Sequence, residues 1–223
     1  MKMNKFWIRI LGLFGILGGI TLFAGDMLFY YDSNNINFTE NMGNVSDFRI
    51  VASGVTALLG TWFYMLGLGQ VYYAIKPTKP IIKNAILICF GANLIAYGVI
   101  HGQYGAIATS AKLAIENNLE INQTVALAAE VNDVLRLFVY PFFGLLSILF
   151  IIQVWKRKTL YPKWIILFFP LLPFLIQDFV CQNLYGNILI IVCGGYLNLI
   201  LIVFFLASTI ALWHGGKIIP IDE

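Results

Sequence analysis

Apolar residues fall into six long runs, and polar residues gather between them. The runs cover residues 6–31, 50–74, 81–107, 128–154, 163–183 and 187–213. Each is near or above the ~20 helical residues needed to cross a ~30 Å hydrocarbon core. The pattern predicts an all-α, polytopic membrane protein: one domain, residues 1–223, built as a bundle of six transmembrane helices.

Details inside the runs support helices that pack closely. The first carries Gly12, Gly15, Gly18 and Gly19, and the second Ser53, Gly54, Gly60, Thr61, Gly67 and Gly69. Small residues of this kind let helix backbones approach in lipid. In the third run Asn93, Tyr97 and His101 recur every fourth residue, so they share one face. Tyr104 extends that stripe. Pro170 and Pro173 predict kinks in the fifth run. Residues 32–48 read as a solvated loop, and residues 108–122 as a moderately polar connection with a helical start.

The first run also resembles a signal peptide, with Lys2, Lys5 and Arg9 before it and small residues at Ala24 and Gly25. It is too long for an ordinary signal core and continues through Met27, Leu28 and Phe29, so a retained span is expected.

Composition reinforces the lipid reading. The chain is 60% hydrophobic and 11% charged, against about 25% charged in a soluble domain. Cys89, Cys181 and Cys193 lie in or beside apolar runs without a CxxC pair. They read as small buried hydrophobes, with no disulfide framework and no metal or redox motif. No basic run or nucleic-acid motif appears, so no nucleic-acid partner is expected. No cofactor is expected either, and the expected partners are membrane lipids.

Basic residues sort to one side. Eleven of the fourteen fall at one end of the spans: Lys2, Lys5, Arg9, Lys76, Lys79, Lys83, Lys156, Arg157, Lys158, Lys163 and Lys217. Arg49 and Lys112 fall at the other end, and Arg136 lies within a span. The positive-inside rule places both termini in the cytoplasm, which an even number of crossings requires. The expected location is a cell membrane, plasma or bacterial inner.

Polar residues inside the spans gather at one level. Counting about 20 residues outward from Arg9, Lys83, Trp155 and Trp164 puts the outer boundary near Leu28, Gln103, Leu135 and Leu184. Asp26, His101, Arg136 and Asp178 then lie within about two turns of it on the membrane side. Glu130 and Asp133 lie just outside, and Asn198 slightly deeper. Each has a plain structural reading, such as a helix end facing water or a local Asp133–Arg136 surface pair. Their shared level predicts an outward-opening polar pocket formed by Asp26, Tyr97, His101, Glu130, Asp133, Arg136, Asp178 and Asn198.

Several chemistries fit such a set. Arg136 would bind an anionic group of a small polar or lipid-headgroup ligand at the outer leaflet. His101 with Asp178 or Asp26 would serve as acid and base in an intramembrane enzyme acting on a lipid or isoprenoid. One histidine without spacing motifs makes a poor zinc site, so no metal is expected. A serine triad lacks a Gly-x-Ser-x-Gly elbow. A transporter would need ionisable groups in the inner half, and none continues the path.

The segment Gly25-Asp26-Met27-Leu28-Phe29-Tyr30-Tyr31 resembles a motif of an uncharacterised bacterial family of small six-span integral membrane proteins. The resemblance extends to chain length and general layout. It implies a bacterial plasma membrane and brings no activity or cofactor. It also leaves the glycosylation patterns at Asn37-Phe38-Thr39 and Asn44-Val45-Ser46 without meaning, since they matter only in a eukaryotic lumen.

Overall fold

A computed structural model describes residues 4–214. Four long helices dominate it: α1 (Lys5–Tyr30), α3 (Asp47–Ala74), α4 (Pro80–Glu116) and α5 (Ile121–Trp155). A short helix, α2 (Phe38–Asn44), crosses between α1 and α3. After α5 come α6 (Ile165–Phe168), α7 (Leu171–Leu175), α8 (Gln177–Gln182), α9 (Gly186–Gly194) and α10 (Tyr196–Leu212).

The starts of the long helices follow from local chemistry. Asn4 and Ser46 accept backbone N–H groups at the entries of α1 and α3. Pro80, whose missing N–H costs nothing at a first position, opens α4. The Glu120 carboxylate accepts from the Asn122 and Gln123 amides at the start of α5.

The first four apolar runs become single helices. Two of them outgrow the expected bounds: α4 continues to Glu116 and α5 begins at Ile121, so the expected polar connection is mostly helix. The expected solvated loop likewise contains α2. Asn37 caps this helix, and Asn41 is buried and donates to the carbonyls of Tyr30 and Asn35.

The fifth run differs most. It is not one kinked helix but three pieces of four, five and six residues, α6 to α8. Pro170 and Pro173 remove ladder donors and clash with preceding carbonyls, so the helix restarts instead of bending. The sixth run bends by 65° between α9 and α10, at Gly195. Among the described residues, four helices are long and apolar enough to cross a membrane, or five if α9 and α10 form one span.

Packing is closest between α1 and α3, α4 and α5, and α1 and α10. The α1–α3 contact is set by glycine. A Cβ on Gly67 would lie 2.5 Å from the Gly15 Cα, so backbone meets backbone there. Deep in the bundle Phe90, Phe150, Phe169, Phe204 and Phe205 form an aromatic core, with Phe150 and Phe169 stacked at 4.3 Å. Large apolar side chains such as Trp7, Phe48, Ile81, Phe138, Ile148 and Phe179 lie exposed on the outside. Patches this extensive mark a surface whose solvent is not water alone.

The broken segment still runs from one end of the bundle to the other. Before α6, Tyr161 bonds Ser208 at 2.7 Å near the end of α10, and the Leu160 amide donates to the Ala74 carbonyl at the end of α3. Phe169 joins the aromatic core. Phe174 meets Tyr140 and Phe143, higher on α5. At the far end Cys181 is disulfide-bonded to Cys193. That bond corrects the expectation of three unpaired buried cysteines. Their Cα atoms, 5.8 Å apart on α8 and α9, fall within bonding reach because the chain reverses there. Cys89 is the free and buried thiol.

Candidate functional site

The buried polar residues of α1, α3, α4 and α10 meet in one hydrogen-bonded chain. Tyr64 donates to Asn198 Oδ1 at 3.1 Å, and Asn198 Nδ2 donates to Asp26 Oδ2 at 2.7 Å. The other carboxylate oxygen of Asp26 lies 3.0 Å from His101 Nδ1. His101 Nε2 lies 2.8 Å from Ser53 Oγ, which donates to the Gly25 carbonyl at 2.9 Å. All of these side chains are buried.

Counting hydrogens fixes the roles. A serine hydroxyl has one hydrogen, and here it goes to the Gly25 carbonyl, so Ser53 accepts from His101 and Nε2 carries a proton. One more proton lies between Nδ1 and Asp26. It makes either an imidazolium–carboxylate pair or a neutral imidazole facing a carboxylic acid. Both arrangements are neutral in sum, which suits a low-dielectric interior that strongly penalises a lone charge.

Local sequence explains how these groups reach each other. Gly25 lets α3 and α4 close on α1: a Cβ there would lie 2.0 Å from Thr56 Oγ1 and 2.8 Å from His101 Nε2. Ser53, Ala57, Gly60, Tyr64 and Gly67 form the buried face of α3 at helical spacing. Sequence reasoning missed Ser53 and Tyr64 as site residues. Their membership of that small-residue face was the available signal.

Beside this network is a cavity of about 280 Å³. The α4 stripe of Asn93, Tyr97, His101 and Tyr104 lines one wall. Asp26, Tyr30 and Asn198 line another, with Arg136, Tyr140 and Phe143 of α5 opposite. Phe174, Gln177, Cys193 and Gly194 complete the outer side.

Arg136 is half-buried at this cavity. Its Nε donates to Asn132 Oδ1 at 2.8 Å, and a terminal nitrogen donates to the Tyr104 hydroxyl. The guanidinium carbon stands 5.7 Å from the Tyr104 ring centre. Asn132 in turn donates to the Ile100 carbonyl at 3.3 Å. Both partners of Arg136 are neutral, and among the described residues no carboxylate forms an ion pair with it.

The structure therefore brings together Asp26, Tyr97, His101, Arg136 and Asn198, and leaves three of the expected residues apart. Glu130 and Asp133 on α5 and Asp178 on α8 are exposed and do not line the cavity. Asp133 is three residues from Arg136, but Arg136 turns to Asn132 on the α4 side of the helix. Asp178 lies on a piece of helix whose short length turns it outward. Among the described residues no three His, Cys, Asp or Glu side chains stand together as a metal site.

Residues 1–214 match a family described as a family of unknown function, DUF6796. The chain belongs to the DUF6796 family. No curated protein and no solved structure matches the chain. The expected membership of an uncharacterised family holds. In this chain the Gly25–Tyr31 segment used for that expectation supplies Gly25, Asp26 and Tyr30 to the network and the cavity.

Proposed function

We propose that this DUF6796 protein is a multi-pass membrane protein whose outer-level cavity binds a small polar or lipid-headgroup ligand. The observation that carries this reading is a contrast at one cavity wall. Asp26 and His101 have both carboxylate oxygens and both ring nitrogens engaged within the protein. Arg136, by contrast, is held only by neutral groups and keeps further N–H donors for a guest. A cation in a partly apolar cavity without an internal acid favours an anionic group.

The alternative, an intramembrane enzyme with His101 as base, draws less support from the same geometry. Ser53, His101 and Asp26 stand in the order of a hydrolase triad, but Ser53 is fully buried and its hydrogen serves Gly25. A nucleophile needs an open face toward its substrate.

In this reading the chain crosses a cell membrane six times, with both termini in the cytoplasm. The basic bias supports that orientation, as does the end-to-end path of α6–α8 as a broken fifth crossing. The disulfide supports it too, since such bonds persist on the oxidising side of a membrane.

The test is native mass spectrometry of the full chain released from its own membrane in mild detergent. A retained small molecule or lipid is expected, and Ala96→Phe, which fills the cavity from its α4 wall, should abolish it. An empty protein, or an adduct indifferent to Ala96→Phe, would overturn the reading.

A further inference from the structure

Three features of the cavity narrow the ligand further. The first is depth. Arg136 falls one residue inside the outer boundary counted from Trp155, the level of lipid headgroups. Phe143 lies seven residues further along α5, about 10 Å deeper at the helical rise.

The second is the wall between α5 and the broken segment. Their backbones pack closely only at α6. Above it the closure consists of side chains, with Phe174 5.4 Å from Phe143 and 6.2 Å from Tyr140, ring centre to ring centre. Tyr140 is 47% exposed, so this ring wall faces the bilayer. Rings on side chains part far more cheaply than packed backbones.

The third is size. The cavity, about 280 Å³, falls below the usual range of about 300–1,000 Å³ for small-molecule sites. It holds a headgroup but not a whole lipid, so a lipid's chain has to leave it.

We infer that the ligand is an anionic amphiphile, its charged head on Arg136 and its apolar chain passing between α5 and α7, beside Phe143 and Phe174, into the bilayer. The inference rests on the binding function proposed above and specifies its ligand. A phosphate or carboxylate head takes the free N–H groups of Arg136 and the hydroxyls of Tyr104 and Tyr140. The polar network behind it stays intact, because Asp26 and His101 offer the head no free donor. The chain leaves sideways, so a ligand reaches the cavity from the leaflet without crossing water.

The experiment uses the full chain in maltoside micelles. Dodecyl phosphate, inorganic phosphate and monododecyl glycerol are titrated, and binding is read by native mass spectrometry. Dodecyl phosphate should bind at least ten-fold more tightly than either of the other two. Arg136→Gln should weaken it at least ten-fold, and Arg136→Lys should recover most of that loss, which separates charge from folding. A dodecyl phosphate with a diazirine at its chain end should label peptides covering α5 around Phe143 or α7. Equal binding of inorganic phosphate would make this a free-anion site and overturn the lipid assignment. Equal binding of the neutral amphiphile would overturn the role of Arg136, as would an unchanged affinity in Arg136→Gln. Labels confined to the outer faces of α1 and α3 would overturn the lateral exit. In each of these cases the cavity can still hold a ligand, and Ala96→Phe tests that separately.

Discussion

Asn198 on α10 donates a 2.7 Å hydrogen bond to Asp26 on α1, across 172 residues of chain. It orients the carboxylate so that its second oxygen faces His101. The first and last long elements of the bundle are thereby tied to α4 through a single side chain.

Removing one member of the Asp26–His101 pair should therefore be costly. Asp26→Leu leaves His101 buried with a donor unmatched, and His101→Phe leaves a buried carboxylate. Each should cost about 3–5 kcal/mol, while the double change should cost far less than the sum. Unfolding of the four proteins in detergent measures the coupling. Strictly additive losses would mean that the two groups do not act as a pair.

Glycine at the α1–α3 crossing gives a sharper contrast. In Gly67→Ala the new methyl would meet the Gly15 Cα at 2.5 Å and its nitrogen at 2.8 Å, both backbone atoms that cannot rotate away. A loss of about 1–3 kcal/mol is expected. Gly102 on α4 has nothing within 4 Å of its added Cβ, so Gly102→Ala should be neutral or stabilise by up to about 1 kcal/mol. Thermal midpoints of the two variants decide this. Equal shifts would show that the crossing is looser than described.

The cysteines predict a thiol count. Of three cysteines, two are bridged, so maleimide applied to the unfolded, unreduced protein should label one site, and three after reduction. Replacing Cys181 and Cys193 by serine should destabilise by about 2–3 kcal/mol for a loop of this length. Three labelled thiols without reductant would refute the bridge.

Orientation is open to a labelling test. Ser33 and Lys79 are both exposed at opposite ends of the helices, and the native cysteines are bridged or buried. Single cysteines at these two positions, treated on intact cells with an impermeant maleimide, should react at 33 and not at 79. The reverse pattern would invert the topology.

The four long helices were legible because runs of apolar residues with capped starts leave little choice in lipid. The face of α4 was legible too, since Asn93, Tyr97, His101 and Tyr104 repeat at helical spacing. Asp26 and Asn198 could be placed at one level by counting from basic anchors. Rotation about each helix axis could not be counted that way. Depth alone made Glu130, Asp133 and Asp178 look equivalent to Asp26, yet they point outward. The disulfide was hidden for a related reason. Cys181 and Cys193 read as apolar filler until the chain reverses between α8 and α9 and brings them within 5.8 Å.

The fragmented passage through α6, α7 and α8 constrains how the protein is made. Pieces of four to six residues leave main-chain carbonyls without ladder partners, which hydrocarbon does not tolerate. One of them, the Pro173 carbonyl, is taken by the Tyr196 hydroxyl at 2.9 Å. That acceptor has no partner until the start of α10 has been synthesised. The insertion machinery therefore has to hold residues 165–182 until the next segment emerges and then release the two as one hairpin. The last third of the chain enters the bilayer as a single cooperative step, whereas each of the earlier long helices can enter alone.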